Sequence, residues 1–218
     1  GGSSAKWSMP ATVVGVYETT NNENYFLGGE TAGITIYALK SDCPAYQVGD
    51  VIPGGFRGKL NEYNGNLQIE AVEDMKESET NAPATPAVYA IEEITADMAA
   101  SFVRIKDVTI IDVNNRNITL NDATGAMSAW NRCDLALPDA AATVTVDGVV
   151  NIYKSGETST VRIIPVTISV TSEDENLEVG EKVEVIPGTG EITVNGADIV
   201  DVYDVDGKPR TTTVKGSG

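Results

Sequence analysis

The chain has 218 residues, 41% of them hydrophobic, and a formal net charge of −17. Its richness in Val, Ile and Thr describes one or two folded β-rich domains, and no apolar run approaches the ~20 residues a membrane-spanning helix needs. Histidine is absent, which removes the commonest general base and transition-metal ligand. The acidic balance excludes a broad basic face of the kind that binds nucleic acid through many phosphates.

Residues 1–10 read as a loose leader, with Trp7 pinning it. The Gly-Gly-Ser-Ser opening reads as a trimmed N-terminus, so the missing secretory signal is not evidence for the cytoplasm. A first β unit is expected over residues 11–74. Its strands start with Val14-Gly15-Val16. Apolar side chains then recur at period two through Ile34 and Ile36 and again through Leu67 and Ile69, which places them on one strand face. Val48-Gly49-Asp50 and Pro53-Gly54-Gly55 punctuate the middle of the unit. Residues 75–87, charged and then Pro/Ala/Thr-rich, read as a semi-extended linker.

A second β unit is expected over residues 88–170. It opens with a strand at 88–91 and a short helix at 96–100. Thr95 is the expected N-cap of that helix, and Asp97 sits in the first turn, where a carboxylate suits the helix dipole. From Phe102 onward the sequence repeats the first unit. Phe102-Val103-Arg104-Ile105 matches the opening strand, Gly125 matches Gly33, Gly148 matches Gly58, and Gly156 matches Gly65. Cys43 and Cys133 each follow the third strand of their unit. Symmetric packing of the units would relate the two sites; the plainer reading is two half-buried thiols acting as small hydrophobes. Residues 171–218 form a β-rich C-terminal segment. It has four short runs at 177–179, 183–186, 191–194 and 199–203, with turns at 188–190 and at Asp206-Gly207. The acidic excess is concentrated in the connector and this tail, and it leaves the second unit nearly neutral.

Five short strands per unit, a glycine-rich meander, a helix or loop before the fourth strand and a closing hairpin make the fold all-β. They suggest two tandem five-stranded barrels of the oligonucleotide/oligosaccharide-binding (OB) type. The sequence also resembles the OB-type domains of secreted and surface proteins of Bacteroidetes. The residues that carry this are Val14-Gly15-Val16, Tyr25, Leu27, Ala32-Gly33-Ile34, Ile36-Tyr37, Val48-Gly49-Asp50, Gly58, Leu60, Tyr63, Gly65 and Gln68-Ile69. The second unit carries it through Phe102 to Val108, Leu120 to Gly125, and Trp130. The tail resembles a type IX secretion sorting-type β module through residues 190–194, 197–203 and 206–208, without that module's closing run before Gly218. These resemblances imply a secreted or outer-surface bacterial protein.

Chemistry is sparse. An EF-type calcium loop placed with Gly207 at its sixth position puts Val202 and Thr213 at ligand positions, and both fail. Neither cysteine has a histidine to activate it, and the adjacent Glu92-Glu93 pair, on a strand or loop, tends to point apart. The expected protein is therefore non-enzymatic, with no catalytic residue, metal or cofactor: a binding or spacer module. The alternative is a nucleic-acid or glycan-binding accessory module that uses aromatics on the barrel faces, as OB folds stack bases or sugars. The candidates are Tyr25, Tyr37 and Tyr63 in the first unit and Trp130 and Tyr153 in the second, with Arg132, Lys154 and Arg162 supplying charge beside Trp130. A competing reading turns Tyr37 and Trp130 into the cores or the space between the barrels. The partners open to it are an oligosaccharide, a single-stranded nucleic acid or another surface protein.

Overall fold

The computed structural model describes residues 4–28, 33–78, 80–138 and 142–171, and four two-residue strands beyond them. Residues 1–171 form one compact unit and 172–218 another. The first unit begins with β1 (Ser4–Lys6), β2 (Ala11–Glu18), β3 (Asn22–Gly28), β4 (Gly33–Leu39), β5 (Val51–Ile52), β6 (Arg57–Tyr63) and β7 (Asn66–Glu73). These make one sheet in the order β1-β6-β7-β4-β3-β2-β5. It continues with β8 (Ala87–Val88), β9 (Phe102–Asn114), β10 (Asn117–Asn121), β11 (Ala126–Trp130), β12 (Thr143–Ser155) and β13 (Thr158–Val170). The second sheet runs β10-β11-β13-β12-β9-β8, with β8 parallel to the start of β9, and β9 also pairs back onto β10.

Both sheets follow one path. Three strands meander, the third pairs in parallel with the last (β4 with β7, β11 with β13), and the fourth is antiparallel to the last. This is the OB-like arrangement the sequence suggests. The two differ in closure. In the second, β12 pairs along β9 from Thr143↔Thr109 to Val149↔Phe102, which seals a five-stranded barrel. In the first, β5 takes the free edge of β2 and β1 takes that of β6. The sheet therefore curls without closing. Ser4–Lys6 are accordingly not loose: they pair with β6, and Trp7 stacks on Phe56 with ring centroids 6.3 Å apart.

Period-two alternation sets each core. Ile34, Ile36 and Ala38 of β4 point inward with Tyr25, Ile52, Phe56 and Ile69. Ile118 and Leu120 of β10 and Met127 and Ala129 of β11 do the same in the second barrel, against Val103, Ile105, Val146 and Ile163. The expected helix shrinks to a single 3-10 turn, Ala96–Met98, and a second such turn at Ile91–Glu93 replaces the end of the expected strand. The Thr95 side chain makes no capping bond. Ala100, at φ 68°, donates its N–H to Val150 O at 2.7 Å, so pairing with β12 pulls the chain out of the helix after one turn.

A third apolar cluster joins the barrels. Val14, Tyr17 and Phe26 of the first meet Phe102, Val149 and Ile164 of the second, and all are buried. Gly15 makes the approach close: a Cβ there would collide with a methyl of Val166. The connector is fastened to the first barrel, with Ala82 N donating to Gly49 O at 2.8 Å and Val51 N to Thr80 O at 3.1 Å. In the 172–218 unit, β14 (Glu184–Val185) pairs with β15 (Ile192–Thr193), and β16 (Val202–Tyr203) with β17 (Pro209–Arg210). The expected run at 177–179 and the turns at 188–190 and 206–207 lie outside the described residues. Among the described residues, no helix is long and apolar enough to cross a membrane.

Candidate ligand-binding face

Register brings the site together. Arg162 on β13 pairs with Ser128 on β11 and with Asn151 on β12. Side chains two residues apart on a strand share a face, so Trp130 (from Ser128) and Tyr153 (from Asn151) stand diagonally beside Arg162. The inward course of Met127 and Ala129 forces Ser128 and Trp130 outward. The reading that turned Trp130 into the core therefore does not hold. The Arg162 Cζ lies 5.4 Å from the Trp130 ring centroid and 4.7 Å from that of Tyr153, within cation–π range on both sides. Its Nε donates to Asn151 Oδ1 at 2.9 Å. Among the described residues, no carboxylate pairs with it. Half-burial lowers the Arg162 pKa, and the nearby Arg132 charge adds to that; a guanidinium stays charged regardless.

The other candidates are distributed differently. Arg132 does not stand over Trp130. It leaves the end of β11 and lies across the junction, with its Cζ 4.0 Å above the Tyr17 ring of the first barrel. Burial raises the Tyr17 pKa, and the Arg132 cation opposes that. Lys154 is engaged: its Nζ meets Glu62 Oε1 at 2.9 Å, both side chains being largely in solvent. Tyr37 points out of β4 and is 39% exposed, its hydroxyl 3.4 Å from Asn22 Oδ1. Tyr63, 60% exposed, ends β6 at the hairpin that touches β12. Tyr25 is fully buried, edge-on to Tyr46 at 5.1 Å, and belongs to the core instead of a surface platform. Both cysteines are free. Cys43 packs on the first core and Cys133 on the cluster between the barrels.

Sequence reasoning missed the residue that links the barrels here. Asn66 Oδ1 accepts from Ile152 N at 2.8 Å and from Asn151 Nδ2 at 2.9 Å, and its Nδ2 donates to Ile152 O at 2.7 Å. Asn151 in turn holds Arg162. The signal in the sequence was the Asn64-Gly65-Asn66 turn, which announces a hairpin without saying what its side chains reach.

The fold and this face define a pair of OB-like β units with an outward arginine clamped between aromatic rings. No protein-family model and no curated protein matches the sequence. Solved structures with some likeness include a murine DNA-binding protein bound with double-stranded DNA, at 9% identity and TM-score 0.39, over 76% of this chain and 96% of that one. The Ifi202 HINa domain in complex with 20bp dsDNA matches at 9% identity and TM-score 0.37, over 78% and 100%. The p204 HINb domain matches at 12% identity and TM-score 0.36, over 74% and 98%. At identities of 9–12% and TM-scores of 0.36–0.39, the likeness is distant.

Proposed function

We propose that this chain is a non-enzymatic binding module whose ligand face is the Trp130–Arg162–Tyr153 sandwich, and that its ligand is a short single-stranded nucleic acid. One observation carries the reading: in a chain of net charge −17, a half-buried arginine stands between two outward aromatic rings with no carboxylate partner among the described residues. Aromatic rings offer any base a π-face, and an unpaired guanidinium favours a polyanion over a neutral sugar. The acidic excess elsewhere limits the footprint to a few nucleotides, because distant like charges oppose each added phosphate. The resemblance to Bacteroidetes surface proteins, with the tail's resemblance to a type IX sorting module, supports a secreted or outer-surface setting for this binding.

The test is titration of the purified chain with single-stranded oligonucleotides and a glycan array at two salt concentrations. Stacking is worth about 1–3 kcal/mol per base, so Trp130→Ala should weaken strand binding by about tenfold or more. Salt-insensitive glycan binding at the same residues would replace the nucleic-acid reading with sugar recognition. A blank on both would leave a spacer or protein-contact role.

A further inference from the structure

We infer that Asn66 of the first barrel is a positioning residue for the ligand face: acting through Asn151, it sets the Arg162 guanidinium between Trp130 and Tyr153. The face is then complete only while the two barrels are docked. The inference rests on the reading of that face as a ligand site and adds to it how the site is held ready.

The backbone decides the first link. Asn64 at φ 51° and Gly65 at φ 84° make a tight left-handed turn. Asn66 closes it, with its Nδ2 3.1 Å from Asn64 O and 3.3 Å from Tyr63 O. From there the side chain reaches Ile152, whose N–H donates to Asn66 Oδ1 at 2.8 Å and whose carbonyl accepts from Nδ2 at 2.7 Å. A backbone N–H only donates and a carbonyl only accepts, so the Asn66 amide has a single orientation here. The second link follows. Asn66 Oδ1 also accepts from Asn151 Nδ2 at 2.9 Å. An amide keeps its donor and its acceptor on separate atoms. With Nδ2 committed to Asn66, Asn151 Oδ1 is left to accept the Arg162 Nε–H at 2.9 Å. That bond and the two flanking rings, 5.4 Å and 4.7 Å away, fix the guanidinium plane. The two Nη groups are left to a ligand.

The topology shows why a brace is needed. β12 pairs with β9 only as far as Val149↔Phe102. Asn151 and Tyr153 lie beyond that point, on an arm that β13 holds from one side. On the other side Ala100 and Ser101 take the Val150 backbone, and the Asn66 amide takes that of Ile152, standing where a strand would. An arginine on such an arm has much rotamer freedom to lose. Bracing it before the ligand arrives removes that cost from binding.

The full chain is tested with oligothymidylate as the probe and with the NMR signal of the Arg162 Nε–H. Asn66→Ala and Asn151→Ala should each speed solvent exchange of that proton and weaken strand binding about three- to tenfold, the worth of one hydrogen bond. Asn151→Ala leaves the Asn66 bonds to Ile152 in place, so its loss is not a loss of docking. The double variant should add less than about twofold to either single loss, because both residues act through Arg162.

Additive losses would mean that Asn66 only docks the barrels, and would overturn the relay. An Arg162 Nε–H signal unchanged in either variant would overturn it too. Strand binding lost in Trp130→Ala but unchanged in both asparagine variants would overturn the relay and leave the aromatic face standing. A native chain that binds no strand would overturn the nucleic-acid reading. The Nε–H exchange would then decide the relay alone: faster exchange in both variants upholds it, and no change overturns it.

Discussion

The Asp122 carboxylate fastens the turn between β10 and β11 to the chain that enters the second barrel. It accepts from Ile91 N at 2.8 Å, Thr124 N at 2.7 Å, Gly125 N at 3.0 Å and the Thr124 hydroxyl at 2.6 Å. Partial burial pushes its pKa up, but these hydrogen bonds outweigh that and hold it below the ordinary carboxylate value. A carboxylate depressed in the folded state adds stability above its unfolded pKa of about 4, and that stability is lost as the pH falls through the folded value. Asp122→Asn should therefore be less stable than the native chain near pH 7, by about 1–2 kcal/mol. The gap should close as the pH falls below 4, and urea unfolding across that range checks it. Cys133 behaves in the opposite sense. Burial beside the inter-barrel cluster pushes its thiol up to about 11. Only the thiolate reacts, so alkylation at pH 8 should run roughly a hundredfold slower than for a thiol at its ordinary value, becoming fast on unfolding. Native Cys133 reacting at the rate of a small-molecule thiol would contradict the packing of Tyr17, Phe102 and Val149 around it.

Within the strands, the repeated glycine of the fourth strand has one cause in both barrels. A Cβ on Gly58 would strike the Ile69 side chain, and a Cβ on Gly148 would strike that of Ile163. Each isoleucine lies on the last strand, opposite the third, and both crossings coincide with an irregularity in strand register. Gly148→Ala should cost about 1–3 kcal/mol through overpacking and lower the Tm. Gly125→Ala, where a Cβ meets open space, is the matched control and should leave it unchanged. These glycines were legible in the sequence because the clash lies between neighbouring strands of one unit. The facing of Trp130 was left open by the sequence, between a barrel face and a core or junction; the burial of Met127 and Ala129 ahead of it turns it outward. Arg132 on Tyr17 and Lys154 on Glu62 were not legible, since each contact depends on how one barrel docks against the other. No strand period encodes that. The open first barrel escaped for the same reason, because its closure is decided by what β1 and β5 cover.

At the scale of the whole 1–171 unit, the junction is a core in its own right. Phe102 is 6% exposed and lies between Val14, Phe26 and Ile164. Truncating a buried Phe costs about 3–5 kcal/mol, so Phe102→Ala should destabilise both barrels together. Chemical unfolding followed by probes in each barrel should give one transition in the native chain and two in the variant. Two transitions already present in the native chain would mean that the barrels fold separately. The connector points the same way. Pro86 is buried, Ala84 packs on the junction, and Ala82 is bonded to Gly49. Limited proteolysis should therefore spare the 83–86 stretch despite its linker-like composition, and rapid cutting there into two stable halves would contradict the shared core.

The Asn64-Gly65-Asn66 hairpin has a further consequence for how such a chain could change over time. Hairpin tips are ordinarily where a domain tolerates added residues. Here the tip is wedged against Ile152 and Lys154 of the neighbouring barrel: a Cβ on Gly65 would press on both side chains, and Asn66 bonds the Ile152 backbone. Lengthening it would pry the barrels apart, so this loop is closed to insertion. A barrel exchanged for another would need the same turn, with an asparagine at the Asn66 position, to keep the bonds to Ile152.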